Sequence, residues 1–230
     1  MNVERRTVLK GLALSSLAGI AVTSSGLSMA GSVLGAQAQP VLPTLVLVNN
    51  QVAESVFLQG VNASPGGKQV KVQRTDLSLD FILGFEKRLR SGQPQRIIGL
   101  VDDASAALIV DLARSAGARV QWLGQHRATP HASQHRLLSA EAASGCAPQL
   151  GLSLNACGSG FSLTEQRMHS LQAPLQASAI ARNRDSSDQW AATLGYTLAA
   201  LGTTSDRQAP LIARRPVSLT GNFVSFSIEA

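Results

Sequence analysis

Three of the four histidines, His126, His131 and His135, fall within one short stretch, with His169 beyond them. Imidazole nitrogen suits Zn, Cu or Ni, so these three are the candidate metal ligands. His131 and His135 stand four apart and share a face if that stretch is helical. Pro130 separates them from His126, the HExxH pattern is absent, and no acid or cysteine pattern completes a set. A solvated polar loop is the plainer expectation. The second candidate is the carboxylate pair Asp102-Asp103. One acid is enough to cap a helix, and Asp103 is read in that role, which leaves Asp102 over. A hydrolase or metal-assisted enzyme would draw on Asp102, Asp103 and His126. It needs Asp102 and His126 within hydrogen-bond reach of each other.

Other chemistries find little support. The first turn after an apolar strand reads Val48-Asn49-Asn50-Gln51-Val52, without glycine. A pyrophosphate needs close backbone approach there, so NAD or FAD bound in the usual way is not expected. No P-loop occurs. Gly158-Ser159-Gly160 lacks the rest of a Gly-x-Ser-x-Gly elbow and its preceding strand. The two cysteines, Cys146 and Cys157, cannot supply the four thiolates of an iron–sulfur cluster. Their even number favours one disulfide in an oxidising compartment, against a pair of free thiols in a redox or metal site.

These side chains need elements to position them. Thr44–Val48 is a β-branched apolar run that ends at Asn49-Asn50, the pattern of a strand buried on both faces. Residues 53–58 suit a short helix, and 69–73 alternate as a second strand. Leu79, Ile82, Leu83, Phe85 and Leu89 make a helical stripe, capped by Asp76 or Ser78 and ended by Gly92-Gln93-Pro94. Arg96–Val101 is the third strand, 106–115 a helix, and 119–123 a fourth strand closed by Gly124. Strands alternating with helices imply a parallel sheet. The expected class is a Rossmann-like or flavodoxin-like three-layer α/β fold with a mainly parallel sheet. Beyond it, residues 126–160 read as irregular. Ser162-Leu163-Thr164-Glu165 matches a capping box and predicts a helix ending before Pro174. Ser186-Ser187-Asp188-Gln189 matches another, opening a helix with Trp190, Leu194, Leu198 and Leu201 on one stripe. Residues 217–228 alternate around Thr220-Gly221, as a C-terminal β-hairpin at the sheet edge would.

In open parallel sheets, ligands bind outside the carboxyl ends of the strands. That rule selects a ligand-binding rim of Asn49 and Asn50, Arg74 and Asp76, Asp102 and Asp103, then Gln125, His126 and Arg127. Such a rim can recognise a polar or anionic small molecule. Read structurally, Asp76 and Asp103 are helix caps and the asparagines are turn residues.

The amino terminus carries a different kind of information. Glu4-Arg5-Arg6-Thr7-Val8-Leu9-Lys10 precedes an uncharged segment, residues 11–38, that ends in the small-x-small triplet Ala36-Gln37-Ala38. This resembles a twin-arginine (Tat) export signal, with Arg5 and Arg6 as the recognised pair and cleavage after Ala38. A membrane span needs about 20 predominantly apolar residues. Thr23-Ser24-Ser25-Gly26 interrupts this segment, so a retained anchor is the weaker expectation. No cysteine lies near the cleavage point, which argues against a lipoprotein anchor. The resemblance implies a soluble periplasmic protein, residues 39–230 as a single domain, that engages the Tat translocase already folded.

Loss of Arg5, Arg6, Lys10 and Glu4 with the signal would lower the formal charge from +6 to +4. That excess is thinly spread and lacks interleaved aromatics, so nucleic acid is not an expected partner. Three function classes follow. The first is an accessory or small-ligand-binding protein, favoured because no catalytic set is complete. The second is the hydrolase or metal-assisted enzyme on Asp102, Asp103 and His126. The third is an escort subunit co-exported with a partner, which would need a large exposed apolar patch.

Overall fold

Strand β1 (Thr44–Val48) forms where the first apolar run predicts it, with Val46, Leu47 and Val48 fully buried. It lies between β2 (Val70–Arg74) and β3 (Arg96–Val101), and pairs with both in parallel. The computed structural model describes residues 42–183, 188–201, 209–211 and 218–230. The intervening helices are α1 (Asn50–Ala53), α2 (Phe57–Ala63), α3 (Leu79–Leu89) and α4 (Asp103–Ser115). The one short helix expected over 53–58 is therefore two pieces, broken between Ala53 and Phe57. Ser78 caps α3 by accepting the Phe81 amide hydrogen bond at 3.2 Å, and Asp76 supports Ser78 in turn.

The rest of the chain departs from the expected pattern. β4 (Arg119–Ala128) runs through Gly124 and continues to Ala128. The stretch expected to be irregular contains β5 (Ser133–Ser139) and α5 (Cys146–Ala156). They are followed by β6 (Phe161–Arg167), β7 (Leu175–Ala179), α6 (Gln189–Ala199) and β8 (Gly221–Glu229). The Ser162-Leu163-Thr164-Glu165 capping box does not start a helix. Phe161, Leu163 and Glu165 are buried while Ser162, Thr164 and Gln166 are exposed. A period of two over seven residues outweighs one local cap pattern. Helix α6 forms as expected, but the first two residues of its predicted box, Ser186 and Ser187, lie outside the described residues.

The sheet has eight strands in the order β2-β1-β3-β8-β4-β5-β6-β7. Three neighbouring pairs are parallel and four antiparallel. The protein is thus α/β, with a mixed sheet in place of the mainly parallel one expected. The main reason is β8. Both β3 and β4 pair with it antiparallel, so β3 and β4 point the same way without touching. The C-terminal hairpin is also corrected. Residue 217 lies outside the described residues, and 218–230 hold one strand at the sheet centre. Phe223 through Ile228 are buried on both sides, so their alternation is not that of an edge.

Helices cover most of one face and part of the other. On the first face, α2, α5 and α6 pack on Val46, Ile98, Trp122, Leu137 and Leu163. Every residue of α6 is buried. Glycines let α2 and α6 meet backbone to backbone. A Cβ at Gly60 would stand 1.8 Å from the Ala192 carbonyl oxygen, and one at Gly195 would stand 2.3 Å from that of Phe57. On the second face, α3 and α4 pack on β1, β3 and β8. Over β5, β6 and β7 that face has no helix among the described residues, and its side chains are exposed apart from half-buried Leu138.

The expected disulfide is absent. Cys146 opens α5, Cys157 ends it, and both are free thiols. A helix of that length holds its ends about 16 Å apart at 1.5 Å per residue. A disulfide needs Cα atoms within about 7 Å. Burial pushes the Cys146 thiol up to about 11, with the Glu165 carboxylate adding to the shift and Arg96 opposing it.

Candidate functional site

At the carboxyl ends of β1 and β3, Asn49 and Asp102 meet. The Asn49 Oδ1 accepts from the Val52 amide at 2.9 Å and so caps α1, while its Nδ2 donates to Asp102 Oδ2 at 3.4 Å. Asp102 Oδ1 accepts from the Ser105 amide at 2.9 Å, and Oδ2 accepts from the Ser105 hydroxyl at 2.8 Å. Asp102 is therefore the cap of α4. Asp103, expected in that role, is the first helical residue and is exposed. Burial pushes the Asp102 carboxyl up, but the Ser105 amide, the Ser105 hydroxyl and Asn49 outweigh it, and the group sits below its ordinary value. Asn50 is exposed at the start of α1, and Arg74 is taken by Glu54 in an exposed ion pair at 3.0 Å. This part of the predicted rim is real as a neighbourhood of Asn49 and Asp102, but its polar groups serve the helices.

Because β4 does not stop at Gly124, Gln125, His126 and Arg127 alternate between sheet faces and do not form one rim. His126 lies directly opposite His135 of β5. Both are buried, at 2% and 1% exposure, on the helix-covered face. His126 Nδ1 stands 2.8 Å from His135 Nδ1, His126 Nε2 stands 2.7 Å from Ser225 Oγ, and His135 Nε2 stands 2.9 Å from Ser133 Oγ. Trp122 Nε1 donates to the same Ser225 oxygen at 2.9 Å. Trp190 stacks on His126 with ring centroids 5.7 Å apart. Gly124 makes the room: a Cβ there would come within 2.8 Å of both Ser225 Oγ and His126 Nε2.

One proton count satisfies this chain. Both imidazoles are neutral, and one Nδ1 donates to the other. A further proton would set two N–H groups against each other. Burial lowers both histidines, His126 further through the charge His135 would carry, and His135 to about 3. The three candidate metal ligands are not brought together. His131 is exposed in the turn after β4, and no group of three or more His, Cys, Asp or Glu among the described residues is placed to hold a metal. The acid–base pairing with Asp102 fails too, since both His126 ring nitrogens already have partners.

The outward side chains of the same strands build a different site. Asp103, Gln125, Arg127, Gln134, Arg136 and Asn222 line an open depression of about 290 Å³, together with His126 and Phe223. The register sets two polar rows across the uncovered face. One runs Asn222, Arg127, Gln134, Ser162, Ser178, and the other Gln125, Arg136, Thr164, Gln176. All of these residues are exposed. Neighbours along a row are about 4.8 Å apart, the strand spacing. Arg127 and Arg136 are diagonal neighbours, and neither side chain has a hydrogen bond or ion pair among the described residues.

The sequence pointed to Asp103, Gln125, His126 and Arg127 here but missed Gln134, Arg136 and Asn222. The available signal was the repeated alternation in Gln125-His126-Arg127 and Gln134-His135-Arg136, once histidine is taken as the buried member. Comparison with known proteins gives no match to a family model, a curated protein or a solved structure. No helix among the described residues is long and apolar enough to cross a membrane.

Proposed function

We propose that the chain is an exported binding or accessory protein that holds a polar ligand against the uncovered half of its sheet. The observation that carries this reading is the pair of exposed polar rows converging on the depression between α4, β8, β4 and β5. A wet sheet face needs only scattered polar residues. Here guanidinium, carboxamide and hydroxyl groups stand side by side with a cavity of small-molecule size among them. The parallel β2-β1-β3 unit supports treating that half as a Rossmann-like scaffold. The Arg5-Arg6 pair and Ala36-Gln37-Ala38 support Tat export to the periplasm, with the translocase as the partner during transit. One observation favours the escort reading as a second choice: Leu79 and Leu83, one turn apart on α3, are 68% and 55% exposed.

Native mass spectrometry of the protein from periplasmic fractions tests the first reading. Wild type is expected to carry a small co-purifying mass that an Arg127→Ala, Gln134→Ala variant loses. A mass retained by the variant would put the site elsewhere. Processing that continues normally after Arg5→Lys and Arg6→Lys would remove the export half.

A further inference from the structure

We propose that the uncovered face binds a small, doubly charged anion, a phosphate monoester or a dicarboxylate, clamped jointly by Arg127 and Arg136. This rests on the reading of that face as the binding surface and names the class of ligand it takes.

Register carries the first part of the argument. Arg127 stands directly between Asn222 of β8 and Gln134 of β5, and Arg136 stands opposite Gln125. Each guanidinium therefore has carboxamide neighbours that donate N–H bonds but bring no negative charge. The two arginines sit on the diagonal of the same four-residue unit, within reach of one ligand for side chains of their length. Like charges so placed repel until an anion lies between them. A planar guanidinium fork matches carboxylate and phosphoryl oxygens, and two forks match two negative charges.

What surrounds the pair narrows the ligand further. Asp103, at the start of α4, is the one acid lining the depression among the described residues. It disfavours anions approaching from the helix side and leaves the β4–β5 side open to them. The residues of the two polar rows include no aromatic side chain, and the rings of His126 and Phe223, which also border the depression, are each only 2% exposed. A nucleobase or sugar ring would find no stacking platform there, so recognition falls to charge and hydrogen bonding. A depression of about 290 Å³ suits a small molecule.

The test is calorimetric titration of the processed protein with succinate, inorganic phosphate, acetate and a neutral disaccharide. Wild type is compared with Arg127→Gln, Arg136→Gln and Arg114→Gln. Arg114 is exposed in the last turn of α4, at the opposite end of that helix from Asp103, and controls for simple loss of charge. Thermal melts confirm that each variant folds. Succinate or phosphate should bind one to one, and acetate should bind markedly more weakly. Either Arg127→Gln or Arg136→Gln should weaken the dianion about tenfold or more, and Arg114→Gln should not. Loss of affinity in only one of the two arginine variants would overturn the joint clamp. Failure of both dianions to bind at millimolar concentration would overturn the proposal. If the disaccharide binds instead and Gln134→Ala weakens it, the anion class is wrong while the face remains the binding surface. Dianion binding that ignores both arginine variants would sink the class and the face together.

Discussion

Asp102 and Asp103 show how much one residue of offset matters. The first carries two hydrogen bonds from Ser105 and one from Asn49; the second faces solvent at the edge of the depression. Replacing Asp102 by Ala should therefore lower stability by about 1–2 kcal/mol, the loss of a cap together with its Asn49 contact. Asp103→Ala should stay within about 0.5 kcal/mol, as for other surface changes. Urea denaturation of the two variants measures both. Equal effects, or a larger one at Asp103, would show that the cap is misassigned. The sequence made Asp103 the cap because both aspartates precede the same helical run. The discriminating signal was Ser105, three residues after Asp102, which can return a hydroxyl bond that Ala106 could not return to Asp103.

The β4–β5 hairpin joins the buried histidine pair to the exposed arginine pair through the alternation of one ladder. His126 and His135 remain neutral in the folded protein, with His135 held to about 3 by burial. In the unfolded chain each titrates near 6.5. Below that value the unfolded state takes up protons that the folded state does not, so stability falls as pH falls from about 6.5 towards 3. Two such groups give a slope of at most about 2.7 kcal/mol per pH unit. Thermal melts at pH 7 and pH 5 should show a large drop for wild type and a much smaller one for a His126→Gln, His135→Gln variant. Parallel curves for the two proteins would mean that the pair is not buried and neutral. This hairpin was not legible in the sequence. Histidine scored as a polar loop residue, and Pro130 read as a break. What makes burial tolerable is a partner on the facing strand, together with Ser225 from a strand far along the chain.

Across the whole molecule, the strand that closes the sheet comes after every other strand in the chain. β8 supplies the pairing for both β3 and β4, and Phe223, Phe226 and Ile228 fill the core on either side of it. The sheet therefore cannot be completed until residue 229 has been made. A chain stopped after Thr220 would leave two central apolar strands with unpaired edges. It should show no cooperative thermal transition and should accumulate as aggregate. A cooperative melt from the truncated chain would contradict the central role of β8.

The sequence by itself determined the elements whose burial follows local periodicity. β1 and β3 form where apolar runs put them, and α3, α4 and α6 form close to their expected spans, although the buried face of α3 is Phe81, Phe85 and Leu89 and not the stripe with Leu79 and Leu83, which are exposed. Tertiary structure decided strand order, the sign of each pairing and the face each side chain takes. Those depend on hydrogen bonds between residues such as Arg96 and Glu229, far apart in the chain and partnered only after folding. The histidines and arginines of the β4–β5 hairpin went to opposite faces for the same reason. Alternation set which residues go together, but only the covering of one face by α2, α5 and α6 decided which set is buried.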